Sequence, residues 1–134
     1  MRVVFDTNIF VSALARPGGR AEQALVHVIE GRDTILLSRA ILLETLSVLA
    51  RKFGTDTEEL ARVAVFLSDT GQFVEPKRKV RVFKDDPDNR ILECALAGKA
   101  KVVVTGDQVM LRLGNYESVP IISLSDYLAE RRED

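Results

Sequence analysis

Val3-Val4-Phe5-Asp6-Thr7-Asn8 and Val102-Val103-Val104-Thr105-Gly106-Asp107 are two short apolar runs, each opening into polar residues and an aspartate. Runs of this length that are apolar on both faces read as strands of a parallel sheet covered by helices on both sides. In such sheets, sites form beyond the carboxyl ends of the strands, where the order of connections reverses. Two strands that each deliver an aspartate to that edge predict an acidic, cation-binding pocket.

The rest of the chain repeats the same alternation. Strand-like runs fall at 2–6, 34–37, 72–75, 102–105 and 120–123, with helical patterns near 8–14, 20–30, 39–52, 56–69, 87–98, 107–113 and 124–132. Strands alternating with helices predict an α/β fold with a central parallel sheet of about five strands. Pro17-Gly18-Gly19 separates the first two helices, Gly54 is placed to close the third, and Thr55 or Asp56 to cap the fourth. The break at 76–86 carries five basic residues within eight positions, Lys77 to Lys84, and Val80, Val82 and Phe83 leave room for a short extended edge segment.

At 134 residues the chain is long enough to bury a core and reads as one domain, 1–134. No run approaches the length of a membrane helix, and Asp6 and Asn8 interrupt what would be the apolar segment of a signal peptide. The lone cysteine, Cys94, sits among Ile91 and Ala95 and is expected to be a buried thiol in a cytoplasmic protein. The net charge of −1 excludes a broad basic face for nucleic acid, so any contact with RNA or DNA must use local basic clusters or a bound cation. The last residues, 131–134, are expected to fray.

Four carboxylates stand out from the 20 acids. Asp6 or Thr7 could cap the first helix, which explains the aspartate but not the Asn8 that follows. Glu44 has Ala40, Ile41, Ser47 and Val48 at helical spacing, so it lies on the stripe expected to face inward. It is therefore either paired with a cation, such as Arg39 or an arginine elsewhere, or lining a cleft. In Asp86-Pro87-Asp88-Asn89-Arg90-Ile91-Leu92-Glu93, Asp86 reads as the cap, Pro87 as the first helical residue, and Asp88 as the start of the inward face carrying Ile91, Leu92 and Ala95. Asp85 and Asp86 need no explanation beyond capping, and Glu93 is expected on the exposed side. Asp107 reads equally as a cap or as a site residue. Brought together, such acids repel, and one stays protonated unless a cation neutralises them. Mg²⁺ or Mn²⁺ suits oxygen donors where one histidine, His27, lies far from the motifs.

With these residues in view, the chain resembles the PIN-domain ribonucleases, close to the VapC toxins of prokaryotic toxin–antitoxin systems. The matching stretches are Val3–Asn8, Glu44 within Arg39–Val48, Asp85–Ala95 and Val102–Asp107, in order along essentially the whole chain. The resemblance implies a three-layer α/β/α fold and Mg²⁺- or Mn²⁺-dependent endonuclease activity on RNA. It carries the family's acidic residues onto Asp6, Glu44, Asp88 and Asp107 as catalytic metal ligands, with Asn8 and Thr105 in support. Many relatives have Asp-Pro-Asp-Asp where this chain reads Asp86-Pro87-Asp88-Asn89, which leaves Asp86 as a second carboxylate behind Asp88.

Other readings are weaker. Haloacid-dehalogenase-like phosphatases need an aspartate where Asn8 stands, and receiver domains need an acidic pair before Asp6. A PIN fold acting only as an RNA-binding or protein-docking module remains the alternative, against which the intact set of four acids argues. The toxin reading implies an antitoxin that blocks the acidic pocket with a basic side chain. Within that reading a homodimer is expected through helices 39–52 and 56–69, for which Val63, Phe66 and Leu67 offer apolar surface unless they belong to the core.

Overall fold

The computed structural model describes residues 1–131. Its strands are β1 (Arg2–Phe5), β2 (Thr34–Leu37), β3 (Gln72–Phe73), β4 (Val102–Thr105), β5 (Asn115–Tyr116) and β6 (Val119–Ser123). Its helices are α1 (Thr7–Ala15), α2 (Arg20–Ile29), α3 (Arg39–Phe53), α4 (Thr57–Thr70), α5 (Asp86–Ala97), α6 (Gln108–Leu113) and α7 (Leu124–Arg131). The strands form one sheet in the order β3-β2-β1-β4-β6-β5. The expected α/β architecture with a mostly parallel sheet is what the chain adopts.

The chain runs outward from β1 through β2 to β3, then crosses back to place β4 on the other side of β1. The order of connections therefore reverses between β1 and β4, which are parallel neighbours in the register Val3↔Val102, Val4↔Val103 and Phe5↔Val104. Val3, Val4, Phe5, Val103 and Val104 are wholly buried, as strands covered on both faces must be. One layer of contacts joins α1, α2 and α7, while α3 packs on α1, α4 and α5.

The sheet has six strands rather than five. β5 folds back antiparallel on β6, pairing Tyr116 with Val119 across the two-residue turn Glu117-Ser118. Both turn residues have positive φ, 47° and 73°, the backbone that matches hairpin twist. The usual Asn-Gly signature is missing, which hid this turn in the sequence. β3 is shorter than expected, and Val74 only continues its ladder by donating to the Leu37 carbonyl at 2.9 Å. Helix ends follow expectation: Gly54 takes the left-handed conformation after α3 (φ 61°), and Asp56 caps α4 by accepting the Glu59 amide at 2.8 Å.

Three expectations about side chains are corrected. Segment 76–86 forms no strand but a strap tied to α5 by side chains. Glu93, expected to be exposed, is buried and accepts the Val80 amide at 2.9 Å while pairing with Arg90 at 2.9 Å. Val63 and Leu67 are core residues and Phe66 packs against the core, so none is spare interface surface; on α3 and α4 the exposed apolar residues are instead Leu43, Phe53 and Val65. Cys94 is fully buried, and that burial pushes its thiol up to about 12, so it is an inert core residue.

Arg131, expected to fray, is held at the opposite end of the sheet from the aspartate-bearing edge. It donates to Asp33 at 2.7 Å, as does the Tyr127 hydroxyl, while the Met1 ammonium reaches the other Asp33 oxygen at 2.8 Å and His27 approaches at 3.4 Å. Residues 132–134 of the expected tail lie outside the described residues. Among the described residues no helix is long and apolar enough to cross a membrane.

Candidate metal-binding site

The β1–β4 pairing builds the site. The Asp6 amide still donates to the Val104 carbonyl at 2.9 Å, so the ladder extends one residue past β1 and sets Asp6 beside Thr105. The buried Thr105 hydroxyl donates to Asp6 Oδ2 at 2.7 Å and accepts the Asp107 amide at 2.9 Å, so one hydroxyl ties the two strand ends together. Asp6 occupies the N-cap position of α1 without making a side-chain capping bond. Its carboxylate is held above the ordinary range: burial is the main cause and the Asp107 charge adds to it, while the Thr105 hydroxyl and the approaching Asn8 and Thr7 amides pull the other way.

Asp107 does cap α6, accepting the Val109 and Met110 amides on Oδ1 at 2.7 and 3.2 Å. The capping reading holds, and the Asp107 charge also acts on Asp6 and Asp88. The two roles can be separated. Asn caps about as well as Asp, whereas Ala costs about 1 kcal/mol. Asp107→Ala is thus expected to lower thermal stability and Asp107→Asn to leave it intact or raised, as chemical denaturation of both variants would show.

Asp88 enters from α5. The helix begins one residue earlier than the sequence suggested, with Asp85 at the cap position, Asp86 first and Pro87 second. Asp88 is buried, and its carboxyl is pushed up to about 7, first by that burial and then by the charges of Asp6, Asp107 and Asp85. Those causes place three other acids within electrostatic reach of Asp88.

Glu44, six residues into α3 after the Ser38 cap, lines the same cleft of about 190 Å³ as Asp6, Asn8, Asp85 and Asp88. Its side chain is 32% exposed and pairs at 3.7 Å with Arg51, so the two explanations offered for it, a cation partner and a cleft wall, are both met. Asn8 is exposed at the rim of this cleft. Asp86 turns away to Arg90 and Asn89 at 3.2 and 3.3 Å.

Asp85, read from the sequence as a cap alone, makes no capping bond; it lines the cleft with Asp88 and its charge acts on that carboxyl. The sequence reading missed Arg51 and Lys52, which line the cleft seven and eight positions after Glu44. That spacing, two helical turns, was a usable signal.

Among the described residues, no three His, Cys, Asp or Glu side chains are arranged to hold an ion as they stand. Mutual repulsion of crowded carboxylates acts to keep such groups apart. The donor chemistry nevertheless fits a hard divalent ion: the acidic groups offer only oxygens, and Mg²⁺ takes one or two carboxylates and keeps several waters.

Comparison with known proteins decides the family. The model of the PIN domain matches residues 2–109. The chain belongs to the PIN-domain family. An uncharacterized protein of Methanocaldococcus jannaschii, MJ1680, is 29% identical to this PIN domain over 117 residues, 84% of the chain and 75% of that protein. Two solved structures share the fold with a TM-score of 0.62: VapBC2 from Rickettsia felis bound to a DNA fragment from its promoter, and VapBC-1 from nontypeable Haemophilus influenzae. The first is 18% identical and covers 92% of this PIN domain and 98% of that chain; the second is 17% identical and covers 93% and 99%.

Proposed function

We propose that this PIN domain is a Mg²⁺- or Mn²⁺-dependent endoribonuclease and the toxin of a toxin–antitoxin pair. The observation that supports the reading is the parallel β1–β4 register, which brings Asp6 and Thr105 together where the sheet's connections reverse, with the Asp107 amide bonded to that threonine and Asp88 of α5 lining the same cleft as Asp6. Asp6 and Asp88 are the residues to hold a cation, with Asp107 and Glu44 as further ligands or anchors for its waters. A divalent cation there supplies charge to stabilise the attacked phosphate and lowers the pKa of a nucleophilic water. Thr105 fixes the Asp6 carboxylate by its hydrogen bond, and Asn8 supports it from the rim, as groups behind metal ligands do. Attack by water leaves a 5′-phosphate and a 3′-hydroxyl.

The antitoxin belongs to the same reading because the fold is shared with chains solved as VapBC complexes. A partner's basic side chain would compete with Arg51 for the acids of this cleft. A homodimer is proposed through the exposed Leu43, Phe53 and Val65 of α3 and α4.

The test is cleavage of tRNA, mRNA fragments and single-stranded DNA with Mg²⁺, Mn²⁺ or EDTA, with the product ends identified. RNA cleavage that needs the metal, stops in chelator and leaves 5′-phosphates is the expected result. Cyclic phosphate ends, or activity persisting in EDTA, would contradict it.

A further inference from the structure

Asp85 and Asp88 form a wall common to two clefts. One is the cleft of about 190 Å³ that holds Asp6 and Glu44 together with Arg51 and Lys52. The other, about 510 Å³, is lined by Asp107, Phe83, Lys84 and Val109. The acidic centre is thus flanked by a basic pair on α3 and by a lysine set among apolar side chains on the strap.

The two flanks are built differently. Arg51 is 59% exposed; its Nε donates to Ser47 Oγ at 3.2 Å and its terminal nitrogen makes a 3.7 Å contact to Glu44, a weak pairing it can exchange for a phosphate. Lys84 stands on backbone that is locked. The Val82 and Phe83 amides both donate to Asn89 Oδ1, at 3.0 and 2.8 Å, and Asn89 Nδ2 returns a bond to the Phe83 carbonyl at 2.9 Å. Asn89 is 2% exposed and follows Asp88 on α5, so the strap is fixed to the helix that carries the acid. By contrast, Arg78 of the same strap is engaged by both oxygens of Glu117 at 2.7 Å. Lys99 and Lys101 precede β4, a strand's length from the acidic edge.

We propose that these two clefts are one track for single-stranded RNA: phosphates on one side of the acids are gripped by Arg51 and Lys52, and the nucleotide on the other by Lys84, with its base against Phe83 and Val109. This rests on the endoribonuclease reading above. Acids that gather at a scissile phosphate repel its neighbours, so cations are needed where the strand enters and leaves. Val109 is 52% exposed beside Lys84, an apolar surface a base can cover only when it is not stacked inside a duplex.

The test is fluorescence anisotropy with a labelled RNA oligonucleotide across a series of KCl concentrations, with Ca²⁺ in place of Mg²⁺. For single strands the slope of log affinity against log salt falls by about 0.7 for each phosphate contact removed. Arg51→Ala with Lys52→Ala is expected to reduce the slope by about 1.4 and Lys84→Ala by about 0.7. Val109→Ser should weaken binding at unchanged slope, Lys99→Ala with Lys101→Ala should change nothing, and a duplex of the same sequence should bind more weakly. Unchanged slopes in the Arg51, Lys52 and Lys84 variants, equal binding of duplex, or no RNA binding by the wild type overturns the track. Binding with the expected slopes but no cleavage in Mg²⁺ would support the track and remove the nuclease reading. Metal-dependent cleavage with unchanged slopes would do the reverse.

Discussion

Asp88→Asn is expected to lower kcat/KM for RNA by more than about 100-fold, since disturbing even the groups behind a metal ligand costs 10- to 100-fold. The same substitution should make the fold steadier at neutral pH. In the folded chain the Asp88 carboxyl sits at about 7 against an ordinary 3.8, so between those values the folded state holds a proton that the unfolded state has lost. Stability contributed by that proton is present at low pH and is lost as pH rises toward 7. An asparagine has no such loss. Urea unfolding without divalent metal, at pH 5 and pH 8, should show the variant gaining on the wild type at the higher pH. A stability difference that stays constant with pH would mean that Asp88 ionises as an ordinary surface acid.

The largest loss of stability is expected from Asp33→Ala. Burial alone would raise this carboxylate, yet hydrogen bonds from the Met1 ammonium, Tyr127 and Arg131 bring it below its usual value. It is buried and is the shared anion for Met1 and Arg131, with His27 of α2 at 3.4 Å, so it ties the start of β1 to α7. Removing one partner of a buried ion pair costs about 3 kcal/mol or more, a fall in Tm of about 10 °C for a chain of this size. Its sign with pH is opposite to that of Asp88: a lowered carboxylate contributes stability above its unfolded value, and this is lost on acidification. RNA cleavage at 20 °C should survive, because this network lies at the other end of the sheet. A Tm within 2 °C of the wild type would show that solvent already satisfies these groups.

The sequence disclosed what periodicity and strand-end chemistry encode. Asp6 and Asp107 were legible because each follows a fully apolar run, and Asp88 because Ile91, Leu92 and Ala95 share its face. What escaped notice depends on contacts between distant segments. Glu93 sits where helix periodicity says solvent, but the strap passes over that face and needs an acceptor for the Val80 amide. Asp33 lies between α2 and β2 and acquires its partners only when both chain ends come together. The turn at Glu117-Ser118 takes positive φ without glycine or asparagine, so no turn signal marked β5. Glu44 lines the cleft and pairs with Arg51, a partner two helical turns on that neighbours at three and four positions do not reveal.

The central claim is that Asp6 and Asp88, from distant parts of the chain, share one divalent ion. Titration calorimetry of Mn²⁺ at pH 6.5 in two buffers of different ionisation enthalpy tests it, because a carboxyl at about 7 must give up its proton when the metal arrives. The expected result is saturable binding with release of roughly half a proton or more, little release at pH 8.5, and loss of binding in Asp6→Asn. Binding that releases no proton at pH 6.5, or that Asp6→Asn leaves unchanged, would contradict it.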